Sequence, residues 1–330
     1  MKIAIVGAGA IGGYLGVKLA LSGVDVTFIA RGTNLDAIRH NGMKLLENGE
    51  TLHAPTAKAA TLDEAGQHDY VFLTMKAHQV EPVAAEIETL CHADTAIVTL
   101  QNGLPWWYFY QGGGDLAGTQ LQSLDPNGTL WRNLRPERVI GSVVYPAAEL
   151  IAPGVVQLIE GNRFTLGEPS GEKTPRLLAL AQTMIKAGFK TPISTDIRSE
   201  IWVKLWGNLV FNPVSALTHA TLEDICCNPL TRNVAERMMA EAQVVGEKIG
   251  VQFKVSIAKR IDGAQAVGAH KTSMLQDVEQ GKKLELAALV ASVVELGQLT
   301  GTPTPTIDTV LALTSLLAVK LEQSEGRLKL

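Results

Sequence analysis

The sequence predicts an α/β chain with a doubly wound sheet over residues 1–195, followed by an all-helical domain over residues 196–330. Three observations carry this. A buried apolar run, Lys2 to Val6, leads into Gly7-Ala8-Gly9-Ala10-Ile11-Gly12 and then a helix. Similar short apolar runs recur at Val24 to Ile29, Asp69 to Met75, Ile97 to Leu100 and Val139 to Tyr145. From Asp196 onward the apolar spacing is helical.

The first unit has the context that makes a glycine triplet a dinucleotide fingerprint: strand, turn, helix and second strand within about 30 residues. Gly7 allows the tight turn, Gly9 lets the backbone approach a pyrophosphate, and Gly12 lets helix and strand pack closely. The helix, with Ile11, Leu15, Leu19 and Ala20 on one face, ends at Gly23, and its N-terminal N–H groups suit phosphate. Gly7, Ala8, Gly9, Ala10, Ile11 and Gly12 are therefore cofactor-binding candidates in a Rossmann-type sheet. NAD sites carry Asp or Glu about 20 residues further on, to bind the ribose. Here the second strand ends Phe28-Ile29-Ala30-Arg31-Gly32, with no acid. Arg31 instead predicts NADPH, because a guanidinium binds the 2′-phosphate bidentately.

Residues 33–66 hold a weak helix, Leu35 to Asn41, and a hairpin around Asn48-Gly49. The next two strands end at Lys76 and at Gln101-Asn102-Gly103, on the edge where open parallel sheets bind ligands, which makes Lys76 and Asn102 cofactor-site candidates. Residues 104–138 are a long connector carrying Pro105-Trp106-Trp107-Tyr108-Phe109-Tyr110, then Gly112-Gly113-Gly114, and later Trp131. An exposed aromatic patch here would need a partner, so three readings stand: a lid over the substrate pocket moving on the glycines, a subunit interface, or packing beneath the connector. Strands follow at Val155 to Ile159 and Arg163 to Leu166, then a helix from Thr174 to Ala187 closed by Gly188, and an extended piece from Lys190 to Ser194.

In the helical half, Lys204, Asn208 and Asn212 are four apart, so they drift about 40° per step and share a face. Trp202 and Trp206 flank them, Val203, Leu205, Leu209 and Val210 lie opposite, and Pro213 is expected to bend or end the helix. Two amides and an ammonium suit a 2-keto acid: donors for its carboxylate and a proton for its carbonyl. Thr272-Ser273-Met274-Leu275-Gln276-Asp277 reads as a capped helix start, with Ser or Thr as the cap. Glu285 stands near the start of a further apolar helix. On the last helix, Ile307, Val310, Leu311, Leu317 and Leu321 form a stripe that is core or a subunit contact, so a homodimer stays open.

Composition excludes other classes. A net charge of −4 without a basic run argues against nucleic acid, and no uninterrupted apolar span is long enough for a membrane. The glycine-punctuated N-terminus does not read as a signal peptide. Three cysteines, two of them adjacent, and scattered histidines give neither a disulfide framework nor a metal site, and suit the cytoplasm.

Taken together, Gly7 to Gly12, Arg31, Met75-Lys76, Gln101-Asn102-Gly103, Lys204 with Asn208 and Asn212, Ser273 to Asp277, and Glu285 resemble the ketopantoate reductases (2-dehydropantoate 2-reductases) over nearly the whole length. The resemblance implies an NADPH-binding Rossmann domain followed by a helical substrate domain, with the active site in the cleft, and a place in pantothenate biosynthesis. It implies that Arg31 binds the 2′-phosphate and that Lys76 and Asn102 lie by the nicotinamide. It implies that Lys204 protonates the carbonyl oxygen, that Asn208, Asn212 and Ser273 hold the substrate, and that Glu285 contacts its hydroxyl. Two features depart from the family: Ala287 stands where an Asp is frequent, and the connector after Asn102-Gly103 is long. Three functional readings follow: a ketopantoate reductase, a relative acting on another 2-keto acid, and a non-catalytic NADPH-binding redox sensor.

Overall fold

The computed structural model describes residues 1–55 and 57–326, which fall into two compact units. One comprises residues 1–112 and 127–197, the other residues 113–126 and 198–330. A division at residue 195 alone does not separate out the inserted stretch 113–126.

The first unit opens β1 (Lys2–Val6), α1 (Ala10–Leu21), β2 (Asp25–Ile29), α2 (Gly32–Asn41), β3 (Met43–Glu47), β4 (Glu50–Ala54), β5 (Lys58–Ala60) and β6 (His68–Leu73). It continues with α3 (Ala84–Thr89), β7 (Cys91–Thr99), α4 (Thr129–Leu134), β8 (Val139–Val144), β9 (Ala147–Ala152), β10 (Val155–Glu160), β11 (Phe164–Gly167) and α5 (Pro175–Lys186). Among the described residues these strands form two sheets. The larger runs β11-β8-β7-β6-β1-β2-β5 and is parallel except for β11 against β8. The smaller runs β4-β3-β10-β9. Its β3–β4 hairpin turns at Asn48 and Gly49, both at positive φ, as the Asn-Gly pair predicts.

The sequence pattern predicts one buried face for helix α1. It is buried nearly all round, because it contacts strands of both sheets. Its glycines make this possible: a Cβ on Gly16 would strike the Phe28 ring, and one on Gly13 would fall 2.5 Å from Val156 Cγ2. The core around it includes Ile3, Ile5, Leu15, Phe28, Phe72 and Val98. Strand β7 starts six residues before the apolar run that announces it, since His92, Asp94 and Thr95 interrupt the hydrophobic signal.

The second unit contains α6 (Ile197–Thr218), whose first residue belongs to the first unit, then α7 (Leu222–Cys227), α8 (Pro229–Lys248), α9 (Ile257–Gln265), α10 (Ser273–Glu279), α11 (Ser292–Leu299) and α12 (Pro305–Gln323). A π-helical turn, Ala287–Ala291, leads into α11. Pro213 does not end α6; the helix runs on to Thr218. Proline still cannot donate to the Leu209 carbonyl, so the ladder has a gap next to Asn212. Trp202 and Trp206 are fully buried, and Trp206 Nε1 donates to the Met239 carbonyl on α8 at 2.8 Å. Glu241 of α8 accepts from the Thr306 and Ile307 backbone N–H groups, both at 3.0 Å, fixing the start of α12. On α12, Ile307, Val310 and Leu321 are core, while Leu313, Leu316 and Val319 form a separate exposed row.

The aromatic cluster is not an exposed patch. Trp106, Trp107, Tyr108 and Phe109 are all buried in the first unit. Trp107 Nε1 donates to Thr99 Oγ1 at 2.9 Å, and its ring fills the space beside Gly141, where a Cβ would lie 2.6 Å from Cη2. Trp106 and Tyr110 stand edge-on to Trp131 at 6.1 and 6.0 Å. Of the three readings of this stretch, packing accounts for it. Gly113 and Gly114, at φ +97° and +57°, turn the chain into the stretch that belongs to the helical unit. There Glu295 of α11 accepts from the backbone N–H groups of Gln122 at 2.7 Å and Ser123 at 2.8 Å.

Candidate active site

The cofactor-site candidates of the first unit gather along one sheet edge. In the larger sheet, β7, β6, β1 and β2 are consecutive neighbours, and Thr99, Leu73, Val6 and Ile29 pair at their C-terminal ends. Gly7, Arg31, Lys76 and Asn102 follow these four ends within three residues. The sheet order reverses at β1, where open α/β sheets take their ligands.

The glycine turn fits a dinucleotide. Gly7 has φ +104°, and a Cβ there would sit 2.9 Å from Met75 N. A Cβ on Gly12 would collide with the Gly7 carbonyl and lie 2.6 Å from Thr74 Oγ1. Gly9 is different: nothing lies within 4 Å of its missing Cβ, so space is open in front of the backbone. Gly9 is the N-cap of α1 and no side chain caps that end, which leaves the first-turn N–H groups for an anion. Ala8, Ala10 and Ile11 complete the turn. Arg31 is exposed at the N-cap of α2, and Lys76 and Asn102 are half-buried.

Of the residues that hold this edge in place, Asn34 and Thr74 carry little sequence signal. Asn34 Nδ2 donates to the Ala8 carbonyl at 2.7 Å, while its Oδ1 accepts from Gly154 N at 2.8 Å, tying the turn to the loop between β9 and β10. Thr74 Oγ1 donates to the Gly7 carbonyl at 2.6 Å, and Gln101 Nε2 donates to the Leu73 carbonyl at 2.7 Å.

The second unit carries the other predicted residues. On α6, Lys204 and Asn208 are half-buried and Asn212 is buried. Burial pushes the Lys204 ammonium down to about 8; Glu285 acts against this and Arg260 adds to it. Lys204, Glu285 and Arg260 thus form one electrostatic group. Arg260 has no motif to announce it. Its guanidinium rests against Gly207 of α6, where a Cβ would be 2.5 Å from Nη2. At α10 the cap is Thr272, whose hydroxyl accepts from Leu275 N at 3.2 Å. Ser273 is the first helical residue and is exposed, so capping does not use its hydroxyl. Glu285, half-buried, immediately precedes the turn into the π-helical segment; such bulges break the regular face of a helix and recur at functional sites.

Fold and residues together define a dinucleotide-dependent oxidoreductase with a Rossmann-type sheet unit and a helical unit. The family model described as ketopantoate reductase PanE/ApbA matches residues 3–171, and that of its C-terminal part matches residues 196–318. A 2-dehydropantoate 2-reductase from Mesorhizobium japonicum is 55% identical over 321 residues, 97% of this chain and 98% of that protein. A solved structure from Ralstonia solanacearum MolK2, described as a candidate ketopantoate reductase, matches with TM-score 0.93 at 41% identity, covering 97% of this chain and 98% of that one. The 2-dehydropantoate 2-reductase of Geobacter metallireducens GS-15 matches with TM-score 0.84 at 28% identity, covering 96% and 100%. The chain belongs to the ketopantoate reductase family.

Proposed function

We propose that Lys204 is the general acid in the reduction of 2-dehydropantoate to pantoate by NADPH. The observation that carries this is the environment of its ammonium, whose basicity burial lowers to about 8 beside Glu285. A lysine so placed is protonated at neutral pH yet gives up its proton far more readily than one in water. The 55% identity to a 2-dehydropantoate 2-reductase over nearly the full chain supports this substrate.

In this reading the sheet unit binds the cofactor and the helical unit holds the acid. Gly7, Ala8, Gly9, Ala10, Ile11 and Gly12 receive the pyrophosphate on backbone N–H groups, and Arg31 takes the 2′-phosphate. Lys76 and Asn102, at the ends of β6 and β7, lie towards the nicotinamide. When bound, NADPH supplies a hydride to the carbonyl carbon. Lys204 Nζ delivers the proton that the carbonyl oxygen then needs. Asn208, Asn212 and Ser273 offer hydrogen bonds that orient the acid, and Glu285 accepts from the substrate hydroxyl. Lys204, once neutral, regains its proton from solvent.

Free Cys91, Cys226 and Cys227 support a reducing compartment, the cytoplasm. Among the described residues no helix is long and apolar enough to cross a membrane. The exposed row Leu313, Leu316 and Val319 supports a homodimer, which light scattering tests. The test of the function itself is loss of NADPH absorbance with a panel of 2-oxo acids. Turnover of 2-dehydropantoate above all others is expected. Tight NADPH binding without turnover of any acid would overturn the reading.

A further inference from the structure

Glycine is unfavourable inside a helix, yet Gly207 sits in the middle of α6, three residues from Lys204 and next to Asn208. The structure shows what the missing side chain makes room for. A Cβ at Gly207 would lie 2.5 Å from Nη2, 3.2 Å from Cζ and 3.5 Å from Nε of Arg260, so any other residue would push the guanidinium off this seat. Arg260 belongs to α9, whose Asp262 is paired with Arg232 at 2.7 Å. Electrostatically, Arg260 and Glu285 both act on Lys204. Arg260 therefore belongs to the same electrostatic group as the lysine and the carboxylate. Gly207, and with it the guanidinium, lies within one turn of Lys204 along α6, and in a 2-oxo acid the carboxylate is bonded directly to the carbonyl carbon.

We infer that Arg260, seated on Gly207, receives the carboxylate of the 2-oxo acid and sets the preference for acids over their neutral analogues. The inference rests on the reductase reading above. A guanidinium matches a carboxylate with two parallel hydrogen bonds, which the amides of Asn208 and Asn212 cannot both supply from one side chain. The test compares 2-dehydropantoate with its neutral amide, using NADPH, in the wild type, Arg260→Gln and Gly207→Ala. Arg260→Gln should raise KM for the acid about 10- to 100-fold, the usual weight of a hydrogen bond to a charged group. KM for the amide and for NADPH should stay near wild type. Gly207→Ala, which displaces the guanidinium, should shift the acid-to-amide ratio in the same direction. Should Arg260→Gln melt early in a thermal scan, the ratio in Gly207→Ala decides. An unmoved ratio in an active, folded variant would overturn the inference alone, whereas a wild type inactive on every 2-oxo acid would overturn the reductase reading.

Discussion

In the sheet unit, the residues proposed for the cofactor follow β1, β2, β6 and β7 within three positions of each strand's end, whereas in the helical unit Lys204, Arg260 and Ser273 come from three separate helices and Glu285 from a connector. The first set works largely through backbone: a turn at φ +104°, an uncapped helix start, and open space before Gly9. The second works through side chains whose properties depend on one another, as Lys204 depends on burial, Glu285 and Arg260. Parallel strands bring their ends together automatically, so a local motif suffices there. Helices bring side chains together only through packing, which no short motif records.

Substitutions can break this contrast in graded ways. The largest effect should come from Lys204→Ala, which removes the proposed proton donor: kcat should fall about 10²–10⁴-fold, with NADPH affinity kept, as fluorescence titration of the cofactor would show. A variant within a few-fold of wild type would move the role elsewhere, with Lys76 the first alternative. Trp107→Ala should cost about 3–5 kcal/mol of stability, the usual range for emptying a buried large aromatic site, and leave the ranking among 2-oxo acids unchanged. A changed ranking at unchanged melting temperature would revive the lid. Gly12→Ala forces a Cβ onto the Gly7 carbonyl, an overpacking worth about 1–3 kcal/mol, and should weaken NADPH binding while leaving the surroundings of Lys204 intact. Arg31→Ala should weaken NADPH by about 1.5–3 kcal/mol and NADH scarcely at all; equal losses for both cofactors would remove Arg31 from the 2′-phosphate.

Sequence reading and structure diverge along the same line. The glycine turn, the β3–β4 hairpin and the polar ends of β6 and β7 were legible, because each depends on neighbours in the chain. Strand β9 was not, since Ala147 to Ala152 is half-buried to exposed and pairs only with β10. Nor was the second sheet, which the parallel pairing of β3 with β10, over 100 residues apart, assembles. That pairing is why α1 is buried nearly all round. The aromatic run 105–110 misled as a surface feature, because nothing local shows that Gly141 leaves space for Trp107. In the helical unit, the spacing of four puts Lys204, Asn208 and Asn212 together in the sequence, and all three lie on α6. The seating of Arg260 on α6 is not legible, because its partner position, Gly207, lies 53 residues away and reads as an ordinary helix-weakening glycine.

The pH dependence of Lys204 has a definite sign. Its folded value, about 8, lies below the ordinary 10.5. Between these values the unfolded chain holds a proton that the folded chain has released, so stability gains from this group as pH rises through that window. Below it, both states are protonated and the folded state bears the cost of the buried charge. Catalysis runs the other way, because the reduction needs the protonated form.

The most direct test of the central claim is therefore the pH profile of the wild type in both directions, NADPH with 2-dehydropantoate and NADP⁺ with pantoate, set against Lys204→Ala. With Lys204 as the acid, reduction should fall and pantoate oxidation should rise across a common pH near 8, and both limbs should vanish in the variant. Limbs that move in the same direction, or that persist in Lys204→Ala, would contradict it.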